Sequence, residues 1–355
     1  MIERKLLLGD EAIALGAVHA GISGVYAYPG TPSTEITEYI QGHAQEVRSR
    51  WCTNEKTAME AALGMSYAGK RALVCMKHVG MNVAADAFVN SAITGVNGGL
   101  VVLAADDPSM HSSQNEQDSR FYGKFAMIPI LEPSTQQEAY DMMKYAYALS
   151  EEKKLPVLLR VVTRLAHSRA GVVVNDLMPQ NALNPDKERT WVLLPAIARR
   201  QYASLVAKQP DLVESSEHSP YNGMNAFEGK AKLGVIACGI GYNYVMENDP
   251  QSLGIPVLKV SQYPLPEASI KALAAQCESL LVAEDGQPLV EEQVKAILGA
   301  DYALKGRLTG DLPRMGELTP DCVGAALGVN IEQPYTEAQN VMPRPPALCQ
   351  GCGQP

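Results

Sequence analysis

Three short apolar segments, separated by stretches long enough for helices, constrain the fold of this chain more than any other feature. They cover residues 71–76, 100–105 and 156–162, and most of their side chains are aliphatic or β-branched at successive positions. A strand that is apolar on both faces must be covered on both faces, which is typical of a parallel sheet with helices on each side. Residues 1–170 are therefore predicted to form a doubly wound α/β domain.

A second α/β unit is predicted over residues 231–330. Strand patterns occur at 233–238, 256–260, 280–283 and 303–308, and the first of them runs into a Gly-Ile-Gly turn at 239–241. Residues 171–230 differ because they combine Asn-Pro, Leu-Pro and a polar run at 214–220 with one helical pattern at 196–208. We interpret them as a linker with a helix. The remaining residues, 331–355, are predicted to be an extended tail with a stiff proline-rich stretch at 343–346.

Charge and hydropathy exclude several classes of function. Acidic residues outnumber basic ones by 39 to 30, whereas a general nucleic-acid binder usually has a basic excess. The sequence has no run approaching the ~18 apolar residues of a membrane span, and its first ten residues lack the apolar core of a signal peptide. We therefore expect a cytoplasmic protein that binds neither nucleic acid nor membrane.

The seven cysteines fall into two groups. Five of them are isolated, and we expect them to be buried, reduced side chains that pack as small hydrophobic groups. The other two, Cys349 and Cys352, form a Cys-x-x-Cys pair with spacing suited to zinc or to an iron–sulfur cluster. A four-ligand site would need further ligands from elsewhere, because the sequence has no second such pair.

The Gly239-x-Gly241 turn invites comparison with dinucleotide-binding turns. Tyr244 stands where the third glycine of such a turn would be, and Lys259 lies near the position of the acidic residue that binds ribose. A two-glycine turn between a strand and a helix is common, so nicotinamide binding is disfavoured.

Two residues at predicted helix starts have alternative interpretations. Glu55 begins a helix rich in small residues. Its side chain either faces water and interacts favourably with the helix dipole, or it is desolvated and has a raised pKa. His78 follows a strand and opens a helix whose backbone amides suit an anion or a cofactor. An equally good interpretation is that His78 only forms hydrogen bonds within its own loop.

Several blocks of the sequence together resemble the 2-oxoacid:ferredoxin oxidoreductases, and most closely the alpha subunits of the indolepyruvate enzymes. The first block is Tyr-Pro-Gly-Thr-Pro-Ser at 28–33, and the second is Asn-Glu-Lys-Thr-Ala-Met-Glu-Ala-Ala-Leu-Gly at 54–64. Further blocks lie at 76–82, 104–109, 113–120, 155–160, 239–244 and 316–320. They span almost the whole chain.

The resemblance implies a pyrimidine-binding domain for thiamine diphosphate, followed by a domain similar to the C-terminal domain of transketolase. Glu55 falls where the family has the glutamate that hydrogen-bonds N1′ of the aminopyrimidine and favours its imino tautomer. The expected cofactor-binding residues are Pro29, Gly30, His78 and Asn82.

The resemblance also implies substrate-binding residues. Thr31 matches a threonine that contacts the substrate carboxylate in the related pyruvate enzymes. The arginine beside it in those enzymes is replaced by Asp106-Asp107, and Arg120 is the expected substitute. This departure fits a larger aryl substrate.

The implied activity is oxidative decarboxylation of aryl 2-oxoacids such as indolepyruvate to acyl-CoA in anaerobic amino-acid catabolism. Electrons would pass through [4Fe-4S] clusters to ferredoxin, with coenzyme A as acyl acceptor and a beta (gamma-type) subunit as partner in an oligomer. The alternatives are the same chemistry on pyruvate or branched-chain 2-oxoacids, or a non-catalytic scaffold subunit.

Residues 344–353 resemble the opening of the diphosphate-binding domain of the family. That domain carries Gly-Asp-Gly for Mg²⁺ and the diphosphate, and this tripeptide does not occur in the 355 residues. We therefore expect an N-terminal portion of an alpha subunit, inactive alone, that needs a chain or domain with the diphosphate site. Cys349 and Cys352 would be part of an incomplete iron–sulfur site.

Overall fold

The computed structural model describes residues 3–185, 191–331, 340 and 342. Its strands in chain order are β1 Arg4–Leu8, β2 Gly24–Ala27, β3 Arg48–Trp51, β4 Ala72–Lys77, β5 Leu100–Asp106, β6 Ile130–Leu131, β7 Val157–Val162, β8 Arg169–Val173, β9 Gly223–Met224, β10 Ala231–Cys238, β11 Val257–Val260, β12 Gln262–Tyr263, β13 Cys277–Ala283 and β14 Ala303–Lys305.

The helices alternate with these strands as the sequence predicts. They are α1 Gly9–His19, α2 Thr34–His43, α3 Glu55–Tyr67, α4 His78–Thr94, α5 Arg120–Ala126, α6 Gln136–Lys153, α7 Thr163–Ala166, α8 Pro195–Ala207, α9 Gln209–Glu217, α10 Gly241–Glu247, α11 Glu267–Gln276, α12 Leu289–Leu298 and α13 Pro320–Ala326. Within the described ranges, no helix is both long enough and apolar enough to cross a membrane.

The larger sheet confirms the predicted doubly wound arrangement. Its strand order is β12-β6-β7-β5-β4-β2-β3, and all pairs from β6 to β3 are parallel. On β4, Leu73 and Cys75 face a core shared with α1, α2 and α6, whereas Val74 and Met76 face the opposite core with α3 and α4. Burial of each large aliphatic side chain contributes ~1.5–3 kcal/mol, which explains why this strand is apolar at successive positions.

The second unit has its own sheet, with strand order β14-β13-β10-β11-β9. Strands β14, β13, β10 and β11 are parallel to each other, and the edge strand β9 pairs antiparallel with β11. The two units share one sheet edge, because β12 leaves the second unit and pairs antiparallel with β6. A small antiparallel sheet of β1 and β8 places residues 4–8 beside residues 169–173.

The predicted linker has more structure than its composition indicates. It contains α8 and α9 instead of one helix, and the polar run at 214–220 lies partly in α9. Pro210 occupies the first turn of α9, where its missing N–H breaks no helical hydrogen bond. Leu205 and Leu212 are buried and anchor the two helices. In the sequence, the polar residues around these two apolar positions favour the interpretation of the segment as a linker.

The glycines of the Gly239-x-Gly241 turn serve packing inside the protein. Gly239 has φ +49°, and a Cβ on it would lie 2.6 Å from the carboxyl carbon of Glu132. A Cβ on Gly241 would lie 2.7 Å from the carbonyl oxygen of Ala283. The turn is therefore filled by a carboxylate and a strand end of the same chain, which leaves it no room for a pyrophosphate.

Two buried arginines join the units. The Nε of Arg160, on β7, donates to Asp106 at 2.6 Å, and its guanidinium also binds Glu132 and the carbonyl of Asp285, which is 2.7 Å away in the second unit. Arg120 lies beside it and is equally buried. We call Arg120, Arg160 and the acidic residues that contact them the interdomain ion cluster; these residues are Asp106, Asp118, Glu132, Glu284 and, through its backbone carbonyl, Asp285.

The isolated cysteines agree only in part with the prediction, because Cys52 and Cys322 are partly exposed instead of buried. Cys52, Cys75, Cys238, Cys277 and Cys322 are all free thiols, and the middle three are buried. Cys349 and Cys352 lie outside the described residues, as does most of the predicted tail.

Replacing Arg160 by methionine should lower the free energy of unfolding by about 3–5 kcal/mol, because Asp106 and Glu132 would stay buried without their cation. The matched control is Arg164→Met, which removes a half-exposed pair with Glu317 and should cost at most about 1 kcal/mol. Urea unfolding of both variants measures the difference. Equal losses would contradict a structural role for the ion cluster.

Candidate active site

The candidate site lies at the carboxyl edge of the larger sheet. Strands β5, β4, β2 and β3 are neighbours and parallel, so the segments that follow them meet at this edge. These segments contain, in chain order, loop 28–33, the start of α3, the start of α4, and the residues after β5. The edge therefore brings together four of the blocks that carry the family resemblance.

Glu55 is the first residue of α3, and its position is set by the cap before it. The Asn54 side chain accepts a 2.9 Å hydrogen bond from the backbone N–H of Thr57, which is the favoured N-cap arrangement. The Glu55 carboxyl then points across to α4, where a Cβ on Gly80 would lie 2.6 Å from Glu55 Oε1. A glycine at position 80 is thus required for the carboxyl to approach the first turn of α4.

Burial distinguishes between the two interpretations of Glu55. Only 7% of the residue is exposed, so the carboxyl is not a solvated first-turn acid. Desolvation raises the pKa of Glu55, and a hydrogen bond from its own backbone N–H offsets part of this effect. The neutral carboxylic acid, which can donate a hydrogen bond, is favoured relative to an exposed glutamate.

Loop 28–33 is held tightly through Gly30. The Gly30 N–H donates to Thr34 Oγ1 at 2.8 Å, and the Ser33 hydroxyl donates to the Gly30 carbonyl at 2.8 Å. Ser33 therefore stabilises this loop, and its side chain makes no capping hydrogen bond to α2. Pro29 and Thr31 are exposed, so their side chains are free to meet a ligand.

Lys77 is a residue of this edge that the sequence reasoning did not single out. It ends β4 and is 4% exposed, and a Cβ on Gly30 would lie 3.0 Å from its Cδ. Its ammonium donates to the Ser112 carbonyl at 3.1 Å, and burial lowers the pKa of Lys77. Lys77 thus connects the segments after β2, β4 and β5. The signal available in the sequence was a lysine at the end of an otherwise apolar strand.

His78 and Asn82 occupy the first turns of α4 in different environments. His78 is completely buried, and its Nε2 lies 3.1 Å from the Asn115 carbonyl oxygen, so this nitrogen carries the proton and donates. The imidazole therefore faces the interior and holds the 111–120 segment. Asn82 is exposed, and its side-chain oxygen accepts a hydrogen bond from the Tyr122 hydroxyl.

Arg120 corrects the sequence-based expectation. The predicted substrate contact requires an accessible guanidinium, but this residue is fully buried. Its terminal nitrogen lies 2.5 Å from Asp118 and 2.9 Å from Glu284, and it also donates to the Gln287 carbonyl at 3.0 Å. Carboxylates from both units form ion pairs with this arginine, so it belongs to the interdomain ion cluster and not to a substrate-binding surface.

Comparison with known proteins identifies the family. Residues 15–211 match the model of the family described as pyruvate flavodoxin/ferredoxin oxidoreductase, thiamine diphosphate-binding. The chain belongs to this family. It is 41% identical over 373 residues to the indolepyruvate oxidoreductase subunit IorA of Archaeoglobus fulgidus, covering 99% of this chain and 59% of that protein. IorA of Pyrococcus abyssi is also 41% identical, over 381 residues that cover 99% of this chain and 58% of that protein.

Solved structures support the fold. A 2-oxoglutarate:ferredoxin oxidoreductase from Magnetococcus marinus matches with a TM-score of 0.72 at 16% identity, covering 92% of this chain and 65% of the other. A split-gene transketolase matches with a TM-score of 0.58 at 14% identity, covering 91% of this chain and 97% of the other. The predicted fold class, a thiamine-diphosphate-type α/β domain followed by a transketolase-like one, is confirmed. The chain spans about three fifths of the length of its IorA relatives.

The raised pKa of Glu55 predicts how Glu55→Gln changes stability with pH. The unfolded chain releases this proton at a lower pH than the folded chain, so the folded state binds more protons between the two pKa values. The contribution of Glu55 to the free energy of unfolding of the wild type therefore decreases as pH rises through this range. The glutamine variant lacks the titrating carboxyl and does not show this decrease. We expect its stability relative to wild type to increase from about pH 4 to about pH 7 in urea titrations.

The matched control for this pH series is Glu60→Gln, which lies on the same helix with an exposed side chain. Its stability relative to wild type should change much less over the same range. A Glu55→Gln difference that is constant with pH would contradict a desolvated carboxyl.

Proposed function

We propose that this chain is part of the alpha subunit of an indolepyruvate:ferredoxin oxidoreductase and binds the aminopyrimidine end of thiamine diphosphate. The observation that carries the proposal is the Glu55 carboxyl, which is buried against Gly80 at the carboxyl edge of the larger sheet. The family match and the names of the most similar relatives support the cofactor class and the substrate class.

The geometry of Glu55 fits the expected cofactor. A carboxyl that hydrogen-bonds a pyrimidine nitrogen must be protonated to donate, and burial favours that form by raising the pKa of Glu55. Because Gly80 has no side chain, the carboxyl can lie directly against the first turn of α4, which fixes its position. When bound, thiamine diphosphate supplies the electron sink for loss of carbon dioxide from a 2-oxoacid.

Other residues of the edge have proposed roles as well. Pro29 and Thr31 present exposed side chains from a braced loop, and we assign Thr31 to the substrate carboxylate. Gly30 and Asn82 are assigned to the cofactor, Asn82 from an exposed position on α4. His78 is a positioning residue, because its buried imidazole holds the 111–120 segment beside the site.

The diphosphate end requires residues that this sequence does not contain. Gly-Asp-Gly, the element that binds Mg²⁺ and diphosphate in the family, does not occur in the 355 residues. We assign this role to another chain or domain, together with the remaining [4Fe-4S] ligands beyond Cys349 and Cys352. The proposed partners are a beta subunit, ferredoxin and coenzyme A, in an oligomeric enzyme.

The substrate is tested with the complete enzyme, containing the diphosphate-binding part and the beta subunit. We expect kcat/KM for indolepyruvate to exceed that for pyruvate and for branched-chain 2-oxoacids by at least about tenfold, measured as ferredoxin reduction with coenzyme A. A preference for pyruvate would overturn the substrate assignment. The control is the 355-residue chain with thiamine diphosphate and Mg²⁺, which should give no turnover.

Glu55→Gln tests the catalytic role in the same complete enzyme. Turnover should fall by at least about 100-fold, because glutamine cannot exchange the proton that the carboxyl holds for the cofactor. Glu60→Gln, on the exposed face of α3, should retain wild-type turnover. Wild-type rates in the Glu55 variant would favour a scaffold subunit whose site is not catalytic.

A further inference from the structure

A second cluster of ionisable side chains lies near the start of the chain, outside the ion cluster and outside the candidate active site. Asp10 is the second residue of α1, Glu35 is the second residue of α2, and His167 directly follows α7. One ligand atom from each of the three lies within 4.8 Å of the other two. Three sequence-distant segments thus bring two carboxylates and an imidazole together.

Asp10 is the unusual member of this group. It is completely buried, and neither of its carboxylate oxygens has a hydrogen-bond partner among the described residues. A buried carboxylate without a donor is costly, and native structures almost always provide one. The pKa of Asp10 is raised well above its usual range, first by burial and then by the nearby carboxyls of Glu35 and Glu11.

Helix capping does not account for Asp10. The neighbouring Glu11 already serves the start of α1, because its Oε2 accepts the Leu8 N–H at 2.8 Å. Asp10 instead directs Oδ2 to within 3.8 Å of His167 Nε2, and Glu35 Oε1 lies 3.7 Å from the same nitrogen. These separations are too long for hydrogen bonds.

The separations suit a cation between the three groups. Ligands held about 2.0–2.2 Å from a tetrahedral zinc ion lie roughly 3.3–3.6 Å from each other. The two carboxylate–imidazole separations, 3.8 and 3.7 Å, are close to this range, and the two carboxylates lie within 4.8 Å of each other. His167 and Glu35 retain 35% and 38% of their side-chain exposure, which gives an ion and a water molecule access from solvent. Two carboxylates would balance the charge of a divalent ion.

We propose that Asp10, Glu35 and His167 bind one divalent transition-metal ion, for which Zn²⁺ is the best match. An imidazole ligand disfavours Mg²⁺ and Ca²⁺, which take oxygen ligands, and the Irving–Williams order places Zn²⁺ above Mn²⁺ and Fe²⁺. The ion offsets the desolvation of Asp10 that the protein alone leaves uncompensated. It also braces the start of α2, which follows loop 28–33 of the candidate active site.

The test uses isothermal titration of Zn²⁺ into the metal-free 355-residue chain carrying Cys349→Ser and Cys352→Ser. These two substitutions remove the Cys-x-x-Cys pair, which would otherwise compete for the metal. We expect one equivalent of Zn²⁺ to bind, with Mg²⁺ failing to displace it. Cobalt substitution should give a spectrum without thiolate charge-transfer bands, which distinguishes this site from any cysteine site.

His167→Ala and Asp10→Asn, made in the same background, should each weaken Zn²⁺ binding by at least about tenfold. His218→Ala is the matched control, because His218 also lies near a carboxylate, Glu214 at 3.2 Å, but on an exposed helix end. It should bind Zn²⁺ as tightly as the parent. Binding that is undetectable in the parent, or equal in His167→Ala, would overturn the site.

Thermal unfolding provides a second readout that keeps the proposal falsifiable if one variant is damaged. Zn²⁺ should raise the midpoint of the parent and of His218→Ala but leave that of His167→Ala and Asp10→Asn unchanged. Asp10→Asn without metal should be at least as stable as the parent, since an amide replaces a desolvated carboxyl. A midpoint that Zn²⁺ raises equally in all four chains would overturn the site. None of these measurements depends on the proposed enzymatic activity.

Discussion

The structure depends on the neutralisation of two arginines that are buried between its two α/β units. Arg160 lies on a central strand of the larger sheet, yet its partners include the carbonyl of Asp285, 125 residues away. Arg120 likewise reaches Glu284 in the second unit. Removing two guanidinium groups from water is tolerable only when carboxylates surround them, and these carboxylates come from both units. The relative placement of the units is therefore tied to charge pairing as well as to apolar burial.

The pKa values of several carboxyl groups in the interdomain ion cluster are strongly shifted. Burial raises the pKa of Glu284 to about 7 although Arg120 opposes the shift, and raises the pKa of Asp285 to about 6 against Arg307. Asp118, by contrast, has a pKa lowered to about 2 by the two arginines, which outweigh its burial. Such shifts are often taken as signs of an active site. Here they accompany buried residues that pair with buried arginines, which is a structural explanation.

The carboxyl edge of the larger sheet is divided between two uses. At β7 the second unit contacts it, through the interdomain ion cluster. At or just after the ends of β4, β3 and β2 lie Lys77, Glu55 and loop 28–33, where Pro29 and Thr31 are exposed. Because parallel strands place all their carboxyl ends at one edge, this part of the edge is the natural place for a ligand. The helix starts at α3 and α4 then orient the groups that would contact it.

Local sequence patterns are sufficient to predict the parallel α/β sheets and to select Glu55 as a candidate site residue. Apolar runs and helix starts are local patterns, and the blocks around residues 28–33 and 54–64 are contiguous in the chain. Three further features could not be predicted in this way: Glu55 is desolvated against Gly80, Arg120 is buried beside Glu284, and Asp10 lies 3.8 Å from His167. These outcomes follow from burial and charge pairing between segments far apart in sequence. Such contacts exist only after the strands have assembled, so no local pattern specifies them.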